Sequence, residues 1–350
     1  MPLIHKLSAR LQNHPKRVVF PEGADNRVIQ AARQFVSRRL GVPILIGDRA
    51  RIKAIAARLG VKLDGIRVVE PARSAELPLY TQLLRGMQRF NGMNEAEASD
   101  YVLSPNYFAC MMLITGAADA MVCGATTVST NALRAIFNLV PRQEGVETVS
   151  SMQILAKEGG NFGIGGTLFL ADCAVIPEPT AEQLADIAIT TSMLCWHLTN
   201  VPPRVAMLAY SSKSPMKKSA TVERVKMATA LARTKAREFD VPVEIDGELQ
   251  VDAALDVFAA QAKQLEGPVA GRANVLVFPD LNSANIASKL AQIAADIPAY
   301  GQILTGLSKP IAEISRGAGA HDILGSAIIV AAQAVDRRYL YPTEQGRNNA

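Results

Sequence analysis

The sequence has little of what staples or clips a small fold. Four cysteines, Cys110, Cys123, Cys173 and Cys195, stand among 350 residues, and no two form a CxxC pair. That spacing suggests neither a zinc cage nor a disulfide framework, so a reducing compartment, the cytoplasm, is the expected setting. The four histidines, His5, His14, His197 and His321, lack metal-ligand spacing, and no metal site is expected. Long hydrophobic runs are missing too. The segment Ile323 to Val335 is too short to span a bilayer, and Met1 to Arg10 has no apolar signal core, so no membrane is expected as a partner. Charge of one sign is only slightly in excess, at +5, and the Lys and Arg residues are scattered along helical patterns. No nucleic-acid partner is expected from that distribution, whereas a multiply phosphorylated small ligand would suit it. Internal repeats, low-complexity tracts and coiled-coil heptads are absent.

What is present is a chain of ordinary globular composition, 49% apolar and 20% charged, long enough for two domains. The apolar run Arg17 to Phe20 is followed by a turn at Pro21-Glu22-Gly23. A helical pattern then runs from Asp25 to Leu40, and a second apolar run, Pro43 to Ile46, closes on Gly47-Asp48. That is a βαβ unit. Further runs follow at Ile66 to Val69, Ala120 to Cys123, Arg204 to Leu208 and Val275 to Phe278. Helical stretches follow Gly124 to Val140, span Thr221 to Phe239, and begin again near Ile323. Continuous apolar strands alternating with amphipathic helices predict an α/β chain with mainly parallel sheets and helices on both faces. Pro141 to Gly145 is polar and breaks the preceding helix, which makes it a hinge, with a second crossing near Tyr300 to Leu304. The expected domains are 1–144 plus 304–350, and 145–303. The tail after Tyr341 is polar and expected to fray.

One segment can carry chemistry. From Lys309 to Asp322 an apolar run passes through a glycine-containing turn, Ser315-Arg316-Gly317-Ala318-Gly319, into a helix start. Such a turn presents backbone N–H groups to an anion, Arg316 adds a planar donor fork and Ser315 a hydroxyl. The same residues also fit a plain structural role, with Ser315 and Asp322 as turn and N-cap residues and Arg316 as a solvated charge. Gly317-Ala318-Gly319 lacks the third glycine of a dinucleotide fingerprint. Asp252 and Asp256, at i,i+4, can share a helix face and bind a divalent metal, or form a solvated face. Arg134 follows the hydroxyl-rich Thr126 to Thr130 and can face an anion or lie exposed.

The blocks Pro177 to Ala188, Arg204 to Leu208, Ile245 to Ala254, Pro268 to Val275, Phe278 to Ile286, Gly306 to Pro310 and Ser315-Arg316-Gly317 resemble, in order, those of the phosphate acetyl/butyryltransferases. Val19 to Gly23 and Ser129 to Arg134 extend the likeness over residues 15–336. The resemblance implies two three-layer αβα domains of the isocitrate/isopropylmalate-dehydrogenase type, with the active site in the interdomain cleft, and a homodimer. It implies acetyl transfer between acetyl-CoA and inorganic phosphate, giving acetyl phosphate and CoA. Coenzyme A and phosphate are then substrates, and no cofactor is needed. Asp322 matches the family's base for the coenzyme A thiol, Arg316 its phosphate-binding arginine and Ser315 the neighbouring hydroxyl. Arg134, with Ser129 and Thr130, matches the substrate cleft, Tyr210-Ser211-Ser212 matches a loop lining the site, and Lys309 and Gly317, beside the catalytic residues, are also expected to bind substrate.

Proton transfer from a thiol near pKa ~8.5 to a carboxylate near ~3.9 is uphill by roughly 6 kcal/mol in water. A closed cleft and the Arg316 cation would have to narrow that gap. The chain departs from the family pattern at Cys123, Thr127, Ala209, Thr305, Ala312 and Ala318, which raises the question of a longer acyl group. Related domains of malic enzymes generally lose Ser-Arg-Gly, and its retention here favours catalysis. A non-catalytic acyl-CoA sensor and a metal- and nicotinamide-dependent dehydrogenase are the rivals from other classes.

Overall fold

The computed structural model describes residues 3–213, 219–238 and 240–336. Phe239, the expected end of the charged helix, and the tail after Tyr341 lie outside the described residues. Contacts divide the chain into two units, one of residues 6–141 with 307–335, the other of 142–306 with residues at the chain ends.

Up to residue 141 the chain forms α1 (Leu3–Asn13), β1 (Lys16–Phe20), α2 (Asn26–Ser37), β2 (Gly41–Ile46), α3 (Arg49–Arg58) and β3 (Arg67–Val69). It continues through α4 (Leu77–Gly86), α5 (Glu95–Leu103), α6 (Pro105–Ile114), β4 (Ala120–Cys123) and α7 (Ser129–Leu139). From 142 to 306 it forms β5 (Ser150–Ala156), β6 (Thr167–Ala171), α8 (Ala181–Thr199), β7 (Arg204–Leu208), α9 (Ala220–Glu238) and β8 (Glu244–Leu249). There follow α10 (Val251–Leu255), α11 (Val257–Ala262), β9 (Val275–Val277), α12 (Leu281–Ala294) and β10 (Ala299–Thr305). The chain then adds β11 (Ile311–Glu313) and α13 (Ala320–Gln333).

In the first unit the strands lie in the order β3-β2-β1-β4-β11, every neighbouring pair parallel. β4 is buried at every position, and a strand with no polar face needs cover on both sides. α2 and α13 pack on each other and on the sheet, as do α6 and α7. Phe35 of α2 and Phe108 of α6 are fully buried between these layers. Asp25 starts α2 as its N-cap, accepting from the amides of Arg27 and Val28. The carboxyl ends of all five strands share one edge. The chain runs from β1 to β2 and β3 on one side, with β4 and β11 on the other, so the order reverses between β1 and β4. Ligands of open α/β sheets bind outside the carboxyl ends at such a reversal.

The second unit has the strand order β10-β5-β6-β9-β7-β8. β6, β9, β7 and β8 are parallel neighbours, whereas β5 is antiparallel to both β6 and β10. The link from β5 to β6 is too short for a crossover helix and closes as a hairpin. Its glycines are required. A β-carbon on Gly163 would sit 1.9 Å from the Thr167 carbonyl, and one on Gly166 2.1 Å from that of Lys157. The block beginning Pro177 is the start of α8, where Thr180 and Gln183 form a capping box.

One expectation fails here. Asp252 and Asp256 do not share a helix face: α10 ends at Leu255, and Asp256 turns to φ −118° to cap α11. Its carboxylate accepts from the amides of Phe258 and Ala259, and Asp252 pairs with Lys263 at 2.6 Å. Each carboxylate is committed to local structure. Among the described residues no group of three or more acidic, His or Cys side chains could hold a metal, and no helix is long and apolar enough to cross a membrane.

Candidate active site

Ser315-Arg316-Gly317-Ala318-Gly319 leaves the carboxyl end of β11 and enters α13. Ser315, Arg316 and Gly317 are exposed. The Ser315 hydroxyl oxygen accepts from the Gly317 amide at 3.3 Å, which leaves its own proton to donate outward. Asp322 is the third residue of α13 rather than its N-cap. Its Oδ2 accepts from the Gly319 amide at 2.9 Å, while Oδ1 stands 3.9 Å from His321 Nδ1, beyond hydrogen-bond length. One oxygen thus fixes the carboxylate, and the side chain is 23% exposed.

The turn is held by a residue the sequence reading passed over. Arg27, in the first turn of α2, donates through Nη1 to the carbonyls of Arg316 at 2.7 Å and Ala318 at 2.8 Å. Nη2 reaches the Ala125 carbonyl at 2.8 Å and Asp25 Oδ2 at 2.9 Å, and Nε reaches Asp25 Oδ1 at 3.1 Å. All five donors of the guanidinium are engaged, and one side chain ties together the exits of β1, β4 and β11. Burial works against the charge on Asp25, but the bonds from Arg27 outweigh it and hold that carboxyl below its usual range. Glu22, after β1, accepts through Oε1 from the Gly124 amide at 3.0 Å and the Thr127 hydroxyl at 2.7 Å. That bond spans the strand-order reversal between β1 and β4.

α7 begins at the same edge. Ser129 and Thr130 form its first residues, with Arg134 just over a turn further, all exposed. Lys309 does not join them: it precedes β11 and lies toward the strand's amino end, away from Ser315. Tyr210, Ser211 and Ser212 belong to the other unit, past the carboxyl end of β7. Tyr210 is 65% exposed, Ser211 Oγ lies 3.4 Å from Glu248 Oε1, and Ser212 Oγ accepts from the Gln250 amide at 2.9 Å.

Three of the six departures from the family pattern fall inside the sheets. Cys123 on β4 and Ala312 on β11 are fully buried, and the Cys123 thiol lies 3.6 Å from the Ala312 carbonyl. Thr305 is buried against Ser150, its hydroxyl 2.7 Å away. These three pack strands and do not line a surface pocket. Thr127 is the partner of Glu22. All four cysteines are buried and unpaired, and burial pushes the thiols of Cys110 and Cys195 up to about 12.

Known proteins resemble this chain over nearly its full length. A phosphate acetyltransferase of Acetivibrio thermocellus is 38% identical over 95% of this chain and 98% of its own length. One of Clostridium acetobutylicum is 36% identical over 95% and 99%. The solved phosphotransacetylase of Staphylococcus aureus superposes with a TM-score of 0.84 at 32% identity, covering 95% of this chain and 98% of that one. The family described as phosphate acetyl/butaryl transferase matches residues 2–331, and the chain belongs to that family.

Proposed function

We propose that this chain is a phosphate acetyltransferase, an acyltransferase that moves an acetyl group reversibly between coenzyme A and inorganic phosphate. The observation that carries the reading is the turn from Ser315 to Asp322. It offers an outward hydroxyl proton, an exposed guanidinium and a carboxylate with one oxygen uncommitted, in a chain of this family.

In the direction of thioester formation, Asp322 Oδ1 takes the proton of the coenzyme A thiol. The thiolate attacks the carbonyl carbon of acetyl phosphate, a C–S bond forms, and the C–O bond to phosphate breaks with the electron pair leaving on phosphate. Arg316 binds the phosphoryl oxygens through its planar fork, and the Ser315 hydroxyl donates to the tetrahedral oxyanion. Arg134, Ser129 and Thr130 at the start of α7 offer a cation, two hydroxyls and a helix amino end to the phosphates of coenzyme A. Gly317 keeps the turn open to substrate. Tyr210, Ser211 and Ser212 are proposed as further substrate contacts, and Lys309 is proposed to act only at longer range. Coenzyme A and phosphate are substrates in this scheme, and no metal or redox cofactor enters it.

Cys123, Thr305 and Ala312 are buried and give no ground for a longer acyl group, and the relatives named above are phosphate acetyltransferases, so acetyl is the expected substrate. Thioester formation from acetyl, propionyl and butyryl phosphates by purified protein tests both the reaction and the chain length. Highest kcat/KM with acetyl phosphate supports the reading, and no turnover with any of them removes it.

The functional form is proposed to be a homodimer in the cytoplasm. Ile286, Leu290 and Ile293 form an exposed stripe along α12, at 66%, 63% and 81%, and Phe258 of α11 is 81% exposed. Apolar surface of this kind is what a second copy would cover. Four unpaired thiols suit a reducing compartment.

A further inference from the structure

The residues from Gly124 to Val128 carry the chain from β4 into α7, and α7 begins without a cap of its own. Val128 stands at the N-cap position and has no side-chain acceptor for the first amides. The position of this helix start is set from outside it. The near end of the loop packs on the exit of β11: Gly124 stands at φ +102°, and a β-carbon there would lie 2.3 Å from the Ile314 carbonyl, so only glycine fits. In the middle, the Ala125 carbonyl accepts from Arg27 Nη2 at 2.8 Å. The far end, next to α7, is held by Glu22. Its Oε1 accepts from the Thr127 hydroxyl at 2.7 Å and also from the Gly124 amide at 3.0 Å. Asn106 Nδ2, on α6, reaches the Thr127 oxygen only at 3.4 Å, so Glu22 makes the short contact.

Glu22 is itself anchored. The next residue's amide, that of Gly23, donates to the Ile46 carbonyl at 3.0 Å, and a β-carbon on Gly23 would lie 2.7 Å from that oxygen, so the turn after β1 sits against the end of β2. The Asp25 amide closes the turn by donating to the Glu22 carbonyl at 3.0 Å. Oε2 of Glu22 is buried and makes no hydrogen bond, so the hydrogen bonding of this carboxylate is committed to the loop through Oε1. From the same turn, Arg27 holds the carbonyls of Arg316 and Ala318. One stretch of chain, Glu22 to Arg27, therefore holds both the loop that leads into α7 and the turn that carries Arg316. Glu22 reaches to within two residues of Ser129, the first residue of α7.

We infer that Glu22 is a positioning residue for coenzyme A: by bridging the Gly124 amide and the Thr127 hydroxyl, it sets where the amino end of α7, with Ser129, Thr130 and Arg134, stands relative to the Ser315-Arg316 turn. This rests on the acyl-transfer reading above, in which α7 offers that end to the phosphates of coenzyme A. Glu22 takes no part in the proton or acyl transfer of that scheme. Its loss therefore weakens the hold on coenzyme A and leaves the chemistry at Asp322 and the binding of acetyl phosphate nearly intact. A glutamine keeps an oxygen that accepts from both donors and keeps the helix start in place.

The test is a mutant cycle on the full chain, with kcat and both KM values measured and the Kd for coenzyme A taken by calorimetry. Glu22→Ala is expected to raise KM and Kd for coenzyme A by about 10-fold, with kcat and KM for acetyl phosphate moved by less than about 3-fold. Glu22→Gln should stay within about 2-fold of the parent in all of them. Thr127→Val, which removes the hydroxyl alone, should raise KM and Kd for coenzyme A by about 3-fold, and should add less than about 2-fold in the Glu22→Ala background, because both changes break one tether. A Glu22→Ala enzyme with parental KM for coenzyme A, equal rises in the two KM values, equal losses in the Ala and Gln variants, or effects that multiply with Thr127→Val would each overturn the inference. Should the alanine variant not fold, Thr127→Val decides alone, and a parental Kd for coenzyme A in that variant contradicts the inference. Calorimetry needs no turnover. A parent that binds coenzyme A but forms no thioester counts against acyl transfer only, and the Kd ratios still decide the role of Glu22.

Discussion

Arg27 Nη1 lies 2.7 Å from the carbonyl oxygen of Arg316, so the backbone of the candidate phosphate-binding arginine is held by a second arginine 289 residues earlier in the chain. The same nitrogen reaches the Ala318 carbonyl, and Asp25 fixes the rest of the guanidinium. The conformation of the Ser315 to Gly319 turn is therefore set from α2 as much as by its own residues.

Replacing Arg27 should cost both stability and rate. Arg27→Ala strands three backbone carbonyls and the Asp25 carboxylate, for an expected loss of about 2 to 4 kcal/mol in unfolding free energy and at least about 10-fold in kcat. Arg27→Lys should recover only part of either, since an ammonium group cannot serve all of those acceptors at once. Urea unfolding and steady-state kinetics on the two variants check this; equal behaviour of lysine and arginine would refute it.

Arg316 is expected to act through the shape of its side chain as well as its charge. Arg316→Lys keeps the cation but loses the two-pronged contact to a phosphoryl group, so KM for acetyl phosphate should rise by about 10-fold, while KM for coenzyme A changes much less. The ratio of the two KM changes is the quantity to measure.

Stability should carry a signature of Glu313. Its folded pKa is raised, first by burial and then by Glu22, so the folded state holds this proton more tightly than the unfolded chain does. The corresponding stability is fully present below the unfolded carboxyl pKa and is lost as pH rises through the folded value. Glu313→Gln has no proton to lose, so its Tm relative to the parent should climb over a window that opens at the unfolded carboxyl pKa and closes above the folded one. A Tm difference that stays flat across that window would contradict the assignment.

The α12 stripe makes a prediction about mass. Leu290→Glu places a charge in the middle of Ile286, Leu290 and Ile293, and a dimer closed over that face should dissociate while activity per chain at saturating substrate changes little. Light scattering at several concentrations decides it; an unchanged dimer mass would move the interface elsewhere.

Much of the frame was readable from the chain. The runs ending at Phe20, Cys123 and Leu208 are buried strands because a continuous apolar segment can only lie between two layers. The turn from Ser315 to Asp322 announced itself by its glycines at the junction of strand and helix. The residues that position that turn gave no local signal. Glu22 meets Gly124 across 102 positions and Arg27 meets Arg316 across 289, and no periodicity links such partners. Glu313 did leave a trace, a single acid inside the apolar run from Pro310 to Ile314, where a strand buried on both faces should carry none. Asp252 and Asp256 show the opposite failure. Their helical spacing was real, but the helix ends between them because Asp256 caps the next one.

Asp322 is the residue on which the account turns, and thioester formation from acetyl phosphate and coenzyme A, followed by absorbance for the parent and for Asp322→Asn, tests it most directly. Asparagine keeps an oxygen for the Gly319 amide and so preserves the start of α13, but it cannot take a proton from the thiol. The parent should turn over, and Asp322→Asn should lose about 100- to 10,000-fold in kcat with little change in Tm. An Asp322→Asn enzyme as fast as its parent would contradict the assignment of that carboxylate as the base.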